Sequence, residues 1–207
     1  MNIFKNLMKE WVIPLALVAL LGWCFTQFVF TGAVVNGGSM EPNLLNRQYV
    51  GVNRLGNLQR GDVVVFDATQ EDPQIRPGNK DYVKRIIGVS GDTVTYHNGN
   101  LYVNGKMVNQ SYLSIGERTQ GTAGEFGISW SLASLSATGM WQVKDQNKSV
   151  VPADAYFVLG DHRSVSNDGR YFGFVDRNHI LGKVVVPFWY DSNVKDNINH
   201  QSQHFFG

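Results

Sequence analysis

The sequence predicts a mainly β fold, in which one N-terminal transmembrane helix precedes an antiparallel β domain. The first observation behind this prediction is a window from Trp11 to Met40 without Asp, Glu, Lys, Arg or His. The second is a series of short β-branched and aromatic runs, separated by Gly- and Asn-rich turns, over the rest of the chain. Strands do not alternate with helical patterns, so a doubly wound parallel sheet is disfavoured.

The uncharged window contains an apolar run, residues 12–30, in which only four residues are not apolar: Pro14, Gly22, Thr26 and Gln27. A helix rises 1.5 Å per residue, so this run would cover about 28 Å, close to the hydrocarbon thickness of a bilayer. Proline is tolerated near the start of a helix, where Pro14 lies. The run therefore predicts a membrane anchor.

The charges that flank this run predict its orientation. Lys5 and Lys9 precede it, and no charged side chain follows it until Glu41. The positive-inside rule then places residues 1–11 in the cytoplasm and the rest of the chain outside the cell membrane. A cleaved signal peptide is the main alternative, but its apolar core usually has about 7–15 residues. A buried core helix fits least, because no face of the run is polar.

Composition limits the remaining function classes. The 207 residues carry a formal net charge of +1, which provides no bulk argument for a nucleic-acid partner. The one cysteine, Cys24, excludes an internal disulfide and a multi-cysteine metal cluster. Among five histidines only His200 and His204 have i, i+4 spacing, and they lie in a polar tail. We expect no metal, no cofactor and no nucleic acid.

Seven runs are predicted to be strands: Tyr49–Val52, Val63–Phe66, Tyr82–Val89, Thr93–Tyr96, Leu101–Val103, Ala155–Leu159 and Val184–Trp189. The pairs Asn98-Gly99 and Asn104-Gly105 fit type I′ turns, because Asn and Gly accept positive φ at low cost. Two successive hairpins are therefore expected between Thr93 and Val108.

Three polar segments are expected to lie outside these strands. Ala68–Lys80 and Ser111–Ser149 are rich in Gly, Ser, Gln and Asn and are predicted to be loops or inserts, the second with a short helix near residues 126–135. The tail, residues 191–207, is polar and is predicted to be frayed.

Ser39 follows Gly37 and Gly38, which let the backbone turn sharply and approach a ligand. Such a position suits a nucleophile with backbone N–H groups beside it. A flexible linker leaving the membrane is the alternative, and these residues taken alone favour it, since Gly-Ser stretches commonly act as linkers.

Lys84 lies in an otherwise apolar strand, where alternate residues share a face. It points with Tyr82 and Ile86, whereas Arg85 points to the other face. Either one charge faces an apolar side or the strand is an edge strand. Burial lowers the pKa of a lysine, and the neutral amine can act as a general base.

The segment from Gly160 to Gly173 packs acids, arginines and serines between two strands. Such a loop can satisfy its polar groups internally and hold its neighbours in place, or it can be a solvated surface turn. His162 beside Asp161 could serve in a Ser-His-Asp triad, but nothing in the sequence connects either residue to Ser39.

Taken in order, these segments resemble bacterial type I signal peptidases of the Gram-positive type, peptidase family S26. The resemblance rests on four motifs behind the apolar run: Ser39–Pro42, Gly61–Val65, Lys84–Asp92 and Gly160–Asp168, followed by Arg170–Gly173. Each motif alone is weak, whereas four in this order are specific. The resemblance overturns the linker and surface-turn interpretations.

The resemblance implies a membrane-bound serine endopeptidase with a Ser/Lys dyad. Ser39 would be the nucleophile, and neutral Lys84 would be the general base. The Ser39 N–H would donate to the oxyanion. Gly37 stands where some members have a helping serine, so a second donor would be backbone or water. Ser166 matches the serine that orients the lysine.

The resemblance also implies a supporting segment that holds the dyad in place. Its charged members are Asp161, Arg163, Asp168 and Arg170, and Asp168 with Arg170 is the expected ion pair. Three residues depart from the family pattern: Asn43 for Thr, His162 for Asn and Gly169 for Ser.

The implied substrates are secretory preproteins, cut after small-x-small sites such as Ala-x-Ala beside the lipid bilayer and the export machinery. We expect Met40, Tyr82 and Ile86 to line the substrate pocket. The peptidase domain would span 34–190, with an inserted region at about 98–150. Two alternatives remain: a self-cleaving repressor-type peptidase, and a catalytically impaired, membrane-anchored β module that binds exported chains.

Overall fold

The computed structural model describes residues 8–75 and 80–206, and its main elements are an N-terminal helix and two β-sheets. The strands are β1 (Phe30–Val34), β2 (Tyr49–Asn53), β3 (Val63–Asp67), β4 (Asp81–Val89), β5 (Val94–His97), β6 (Asn100–Val103), β7 (Lys106–Met107), β8 (Ser129–Ser131), β9 (Ala155–Leu159), β10 (Val175–Asp176) and β11 (Ile180–Val185). The larger sheet has the order β1-β2-β11-β3-β4-β9-β10, and the smaller has the order β7-β6-β5-β8. All pairings described for these strands are antiparallel, which confirms the predicted antiparallel β class.

The N-terminal helix is shorter than the apolar run. A π-helical segment, Met8–Val12, leads into helix α1 (Ile13–Phe28), and the chain enters β1 at Phe30. Helix α1 ends two residues before the end of the predicted run, because β1 pairs with β2 and the chain must leave the helix first. Over residues 8–75 and 80–206, no helix combines the length and apolarity that crossing a membrane requires. Residues 1–7 of the predicted cytoplasmic segment lie outside the described residues.

Six of the seven predicted strands lie where they were expected, within one residue at either end. The seventh is displaced, because β11 ends at Val185, whereas Val184–Trp189 had been predicted. Pro187 accounts for the early end, since proline cannot donate to a strand ladder; the start lies four residues before the predicted one, at Ile180. Strands β1, β8 and β10 were not predicted; β8 and β10 have only three and two residues.

The two predicted hairpins are confirmed. Asn98 and Gly99 have φ of 46° and 84°, and Asn104 and Gly105 have φ of 51° and 75°. Positive φ at both central residues is the type I′ geometry, whose twist matches that of the flanking strands. These turns join β5 to β6 and β6 to β7. The smaller sheet begins at Val94, so the inserted unit starts before the predicted residue 98.

The loop predicted over Ser111–Ser149 contains more regular structure than expected. Ser131 ends β8 and caps helix α2 (Leu132–Ser136) by accepting from the Ser134 N–H. Leu132 and Leu135 of this helix are buried in the cluster that joins the two sheets. That cluster is rich in aromatic side chains: Tyr96, Trp130, Trp141, Phe157 and Phe174.

The C-terminal segment is ordered against the domain, so the predicted frayed tail is wrong. Helix α3 (Gly169–Phe172) lies before this segment, and helix α4 (Ser192–Lys195) lies within it. Ile198 and Phe205 are buried, and Phe206 forms a β-bridge with Val108. Burying these apolar side chains stabilises the tail. The folded unit therefore extends on both sides of the predicted 34–190.

Candidate active site

Ser39 and Lys84 border one open cleft of about 760 Å³. Its walls come from the segment after β1, the segment after β3, the start of β4 and the loop that follows β9. Strand β4 is inside the sheet, between β3 and β9, so the edge-strand explanation of its charges is wrong. The larger sheet thus brings together two residues that are 45 positions apart in the sequence.

Lys84 contacts Ser39 directly. Its Nζ lies 2.7 Å from Ser39 Oγ, and the lysine is only 3% exposed. Burial lowers the pKa of Lys84 to about 8, because its ammonium loses hydration, although Asp168 and Asp161 oppose the shift. A substantial fraction of the amine is thus neutral near pH 8 and can accept the serine proton.

The backbone around Ser39 is fixed by the loop after β9. The Ser39 carbonyl accepts from the His162 N–H at 3.0 Å, and the Gly38 carbonyl contacts His162 Nδ1 at 3.1 Å. Gly160 makes this approach possible, since a Cβ there would lie 2.6 Å from the Ser39 carbonyl oxygen. His162 therefore positions the serine segment through two contacts, and it forms no triad with Ser39.

Ser166 borders the same cleft but differs from its predicted role in one respect. Its side chain is buried, and within the described chain its Oγ has no hydrogen-bond partner. The expected bond to Lys84 is therefore not formed in this structure. A buried hydroxyl without a partner is costly, so Ser166 is available to bond a group that enters the cleft.

Gly37 is placed differently from the predicted oxyanion role. It has φ of 94°, a conformation that favours glycine. Its N–H donates to Asn46 Oδ1 at 3.0 Å, which occupies the only donor that a glycine has. Gly37 thus shapes the turn before Ser39, and its amide is already used.

Asp168 and Arg170 form the expected ion pair. Arg170 Nε lies 2.9 Å from Asp168 Oδ1, and both side chains are buried. Burial opposes ionisation of Asp168, but the Arg170 charge and hydrogen bonds keep the pKa of this carboxyl below its usual value. Asp168 also accepts from the Gly160 N–H, so the pair holds the loop that fixes Ser39.

Asp161 has a partner that the sequence reasoning missed. Arg85 donates to it twice, at 2.8 and 2.6 Å, and both side chains are 0% exposed. Asn43 also donates to Asp161, at 2.9 Å. The alternation of β4 was the available signal, since it placed Arg85 opposite Lys84. Arg163, by contrast, donates to neutral oxygens and has no ion pair in the part of the chain described.

The departures from the family pattern fit their surroundings. A Cβ on Gly169 would lie 2.8 Å from the Val158 carbonyl oxygen and 2.8 Å from the Phe157 ring. A side chain at the start of α3 would therefore require the neighbouring groups of β9 to shift. Asn43 bridges Asp161 and the Tyr112 carbonyl.

Two of the three predicted pocket residues do not reach the cleft. Met40 is 1% exposed and Ile86 is 0% exposed, and each is part of a separate apolar cluster. Tyr82 does border the cleft, as predicted. Val83 borders both the cleft and a smaller cavity of about 240 Å³, most of whose other walls are apolar: Ala33, Val34, Val35, Val50 and Val65.

The described residues contain one group that could hold a metal ion, and it lies outside the cleft. It consists of Glu71, Asp176 and His179. The Lys144 ammonium already donates to Glu71 and Asp176, at 2.9 Å each. The Lys144 ammonium thus lies between the two carboxylates.

Comparisons with known proteins identify the family of this chain. The family model "Signal peptidase, peptidase S26" matches residues 8–189. Signal peptidase IB of Staphylococcus aureus is 37% identical and covers 96% of this chain and 98% of its own. Signal peptidase I of Bacillus caldolyticus is 37% identical, covering 86% of this chain and 88% of its own. A crystal structure of a signal peptidase I from Enterococcus faecalis V583 has 32% identity, covers 62% of this chain and 97% of its own, and has a TM-score of 0.48. The chain belongs to the peptidase S26 family of signal peptidases.

Proposed function

We propose that this chain is a serine endopeptidase that removes N-terminal signal peptides from exported preproteins. The single observation that carries the proposal is the 2.7 Å contact between Ser39 Oγ and a buried Lys84 Nζ. This contact places a nucleophile and a base within direct proton-transfer distance. Family membership supports the substrate class, since both relatives compared are named signal peptidases.

In the proposed mechanism, neutral Lys84 takes the proton of Ser39 as the hydroxyl attacks the scissile carbonyl. The Ser39 N–H donates to the developing oxyanion. Lys84 then passes its proton to the leaving amine, which produces an acyl-enzyme on Ser39. In the second half, Lys84 activates a water that releases the signal peptide.

The walls of the cleft support selection of small side chains. The smaller cavity holds about 240 Å³ and shares Val83 with the cleft. Its apolar walls accept small residues and exclude large ones sterically, which fits a small-x-small site. We propose that Val83 and Val35 take the pocket role that had been predicted for Met40 and Ile86.

We further propose that the apolar run over residues 12–30 anchors the chain in the cell membrane. The N-terminus would be cytoplasmic, and the peptidase domain, with its inserted region near 98–150, would lie outside. Helix α1 supports the anchor role through its exposed apolar side chains, among them Leu17 and Leu21. The anchor would hold Ser39 near the bilayer, where the apolar segment of a preprotein leaves the export machinery.

The test is cleavage of a preprotein carrying an Ala-x-Ala site, by the full chain in detergent. Ser39→Ala and Lys84→Ala should each lose cleavage while keeping the circular-dichroism spectrum of the wild type. Ser129→Ala, at an exposed position of the smaller sheet, is the matched control and should cleave normally. Normal cleavage by either dyad variant would refute the dyad. A wild-type protein that binds the preprotein without cutting it would favour the impaired β module.

A further inference from the structure

Asp72 is a buried carboxylate in the segment between β3 and β4, which sequence reasoning treated as a plain loop. It is 2% exposed and lies in the wall of the cleft beside Pro73 and Gln74. In the described residues it has no ion-pair partner, although a buried carboxylate is costly without compensation. The burial of this carboxylate at the cleft therefore indicates a role in the site.

The contacts of Asp72 join three segments of the cleft wall. Its Oδ2 accepts from Tyr82 Oη at 2.7 Å and from Asn167 Nδ2 at 2.8 Å. Its Oδ1 accepts from the Gln74 N–H at 2.8 Å. Tyr82 belongs to β4, and Asn167 follows Ser166 in the loop after β9. One carboxylate thus connects the segment after β3 to β4, which carries Lys84, and to the loop after β9.

Tyr82 connects Asp72 to the dyad. Lys84 Nζ lies 5.1 Å from the centroid of the Tyr82 ring, a distance at which the ring face attracts an ammonium. The Tyr82 ring packs against Phe66 and Phe172, and the hydrogen bond from its hydroxyl to Asp72 fixes the polar end of the side chain. Loss of the carboxylate would remove this hydrogen bond and the one from Asn167.

Asp72 also acts on Lys84 through its charge. The charged groups that face Lys84 are, from the largest effect to the smallest, Asp168 and Asp161, which favour the ammonium, Arg170, which opposes it, and Asp72, which favours it. Asp168 and Asp161 are each paired with an arginine, whereas the hydrogen-bond donors to Asp72 are neutral. Its field is therefore not cancelled by a bound cation.

We propose that Asp72 is a positioning residue of this active site: its carboxylate holds Tyr82 and Asn167 in the cleft wall and adds negative charge beside Lys84. The proposal rests on the proposed peptidase function and deepens it. In this proposal Asp72 helps to shape the cleft wall that contacts substrate, and it also contributes to the basicity of Lys84.

The neighbouring Glu71 provides a matched control. It is also a buried carboxylate of the same segment, but it faces away from the cleft. It accepts from Lys144 Nζ, from His179 Nδ1 and from the Asp176 N–H, at 2.7 to 2.9 Å. A change at Glu71 therefore disturbs the segment without changing the side chains that line the cleft.

The experiment compares Asp72→Asn, Glu71→Gln and the wild type as full chains in detergent, with two readouts. The first is the pH dependence of Lys84 acetylation by acetic anhydride, followed by mass spectrometry. The second is kcat and KM for a preprotein. Asp72→Asn should shift the Lys84 labelling curve to lower pH and raise KM about fivefold, the factor that corresponds to the roughly 1 kcal/mol of one hydrogen bond. Glu71→Gln should leave the labelling curve unchanged.

The two readouts separate this proposal from the proposed function. The labelling readout needs no cleavage, so a wild type without activity refutes the peptidase function while labelling still tests Asp72. An unchanged labelling curve in Asp72→Asn overturns the proposal, as does an equal shift in Glu71→Gln. Tyr82→Phe keeps the ring and the carboxylate but loses their hydrogen bond. It should raise KM and leave the shift in labelling smaller than that of Asp72→Asn.

Discussion

The two faces of strand β4 give its adjacent basic residues, Lys84 and Arg85, opposite surroundings. Lys84 faces the cleft and contacts the neutral Ser39, whereas Arg85 faces the other side and binds Asp161 twice. Both are buried, yet burial lowers the pKa of Lys84 to about 8, and Arg85 keeps its charge beside a carboxylate. The difference has two causes: the Asp161 carboxylate offsets the burial of Arg85, and an arginine starts from a higher pKa than a lysine.

The largest expected effect is on the cleft face. Ser39→Ala and Lys84→Ala should each reduce kcat by at least about 10³-fold, because the nucleophile or its general base is removed. Single-turnover cleavage of a preprotein measures this loss. Lys106→Ala, at an exposed position, is the control and should keep full activity. A similar loss in the control would point to a general defect.

On the opposite face of β4, a substitution should change the free energy of unfolding. Asp161→Ala leaves Arg85 buried without its counter-ion, which should lower the free energy of unfolding by about 3–5 kcal/mol. Urea unfolding followed by tryptophan fluorescence measures the change. Asp176→Asn, which weakens a half-exposed ion pair with Lys144, should cost less than about 1 kcal/mol. Equal losses in the two variants would contradict the distinction between buried and exposed pairs.

Burial of the Lys84 ammonium should lower the free energy of unfolding, whereas burial of the paired Arg85 should not. Its pKa is about 8 in the folded state and 10.5 in an unperturbed lysine, so folding releases a proton between these values. The unfolded state binds more protons in this window, and stability therefore rises with pH from about 8 to 10.5.

Lys84→Met should accordingly raise the free energy of unfolding at pH 7, by up to about 3 kcal/mol. The gain should shrink as the pH rises from 8 towards 10.5, and urea unfolding at several pH values measures it. Lys84→Met that is less stable than the wild type at pH 7 would show that the ammonium is well compensated. The cleavage rate of the wild type should rise through the same pKa near 8.

The smallest effect tests how the supporting loop reaches the cleft face. Gly169→Ser places a Cβ against the Val158 carbonyl and the Phe157 ring, and it should cost about 1–3 kcal/mol. Gly116→Ser is the control, since a Cβ there meets only Ser114 Oγ, at 3.9 Å. Thermal unfolding compares the two variants. A neutral Gly169→Ser would show that β9 can move away from α3.

Much of this architecture could be predicted from local sequence. The Asn-Gly turns of the smaller sheet were predicted because positive φ depends on the residues at the turn itself. Most strands were predicted for a similar reason, since alternation and β-branching are local properties. Strand β1 was missed, because Phe30–Val34 continues an apolar run and only its pairing with β2 reveals a strand.

The features of the site also divide into those that the sequence predicted and those that depend on the tertiary structure. The order of motifs predicted Ser39, Lys84 and the pair of Asp168 with Arg170. It did not predict that Met40 would be buried, since the side chain that faces the cleft depends on how the segment after β1 turns. It also did not predict the polar partners of Asp72, which are Tyr82 in the next strand and Asn167, 95 residues away.

The sequence by itself determined which chemical groups this protein has and the order in which they occur, because residue identity and local backbone preference are properties of neighbouring positions. The tertiary structure alone decided that Lys84 meets Ser39, that Arg85 meets Asp161 and that Asp72 meets Tyr82. Those outcomes depend on burial and on partners up to 76 residues apart. Hydration and the local field set the charge of a buried group, and both exist only after the chain has folded.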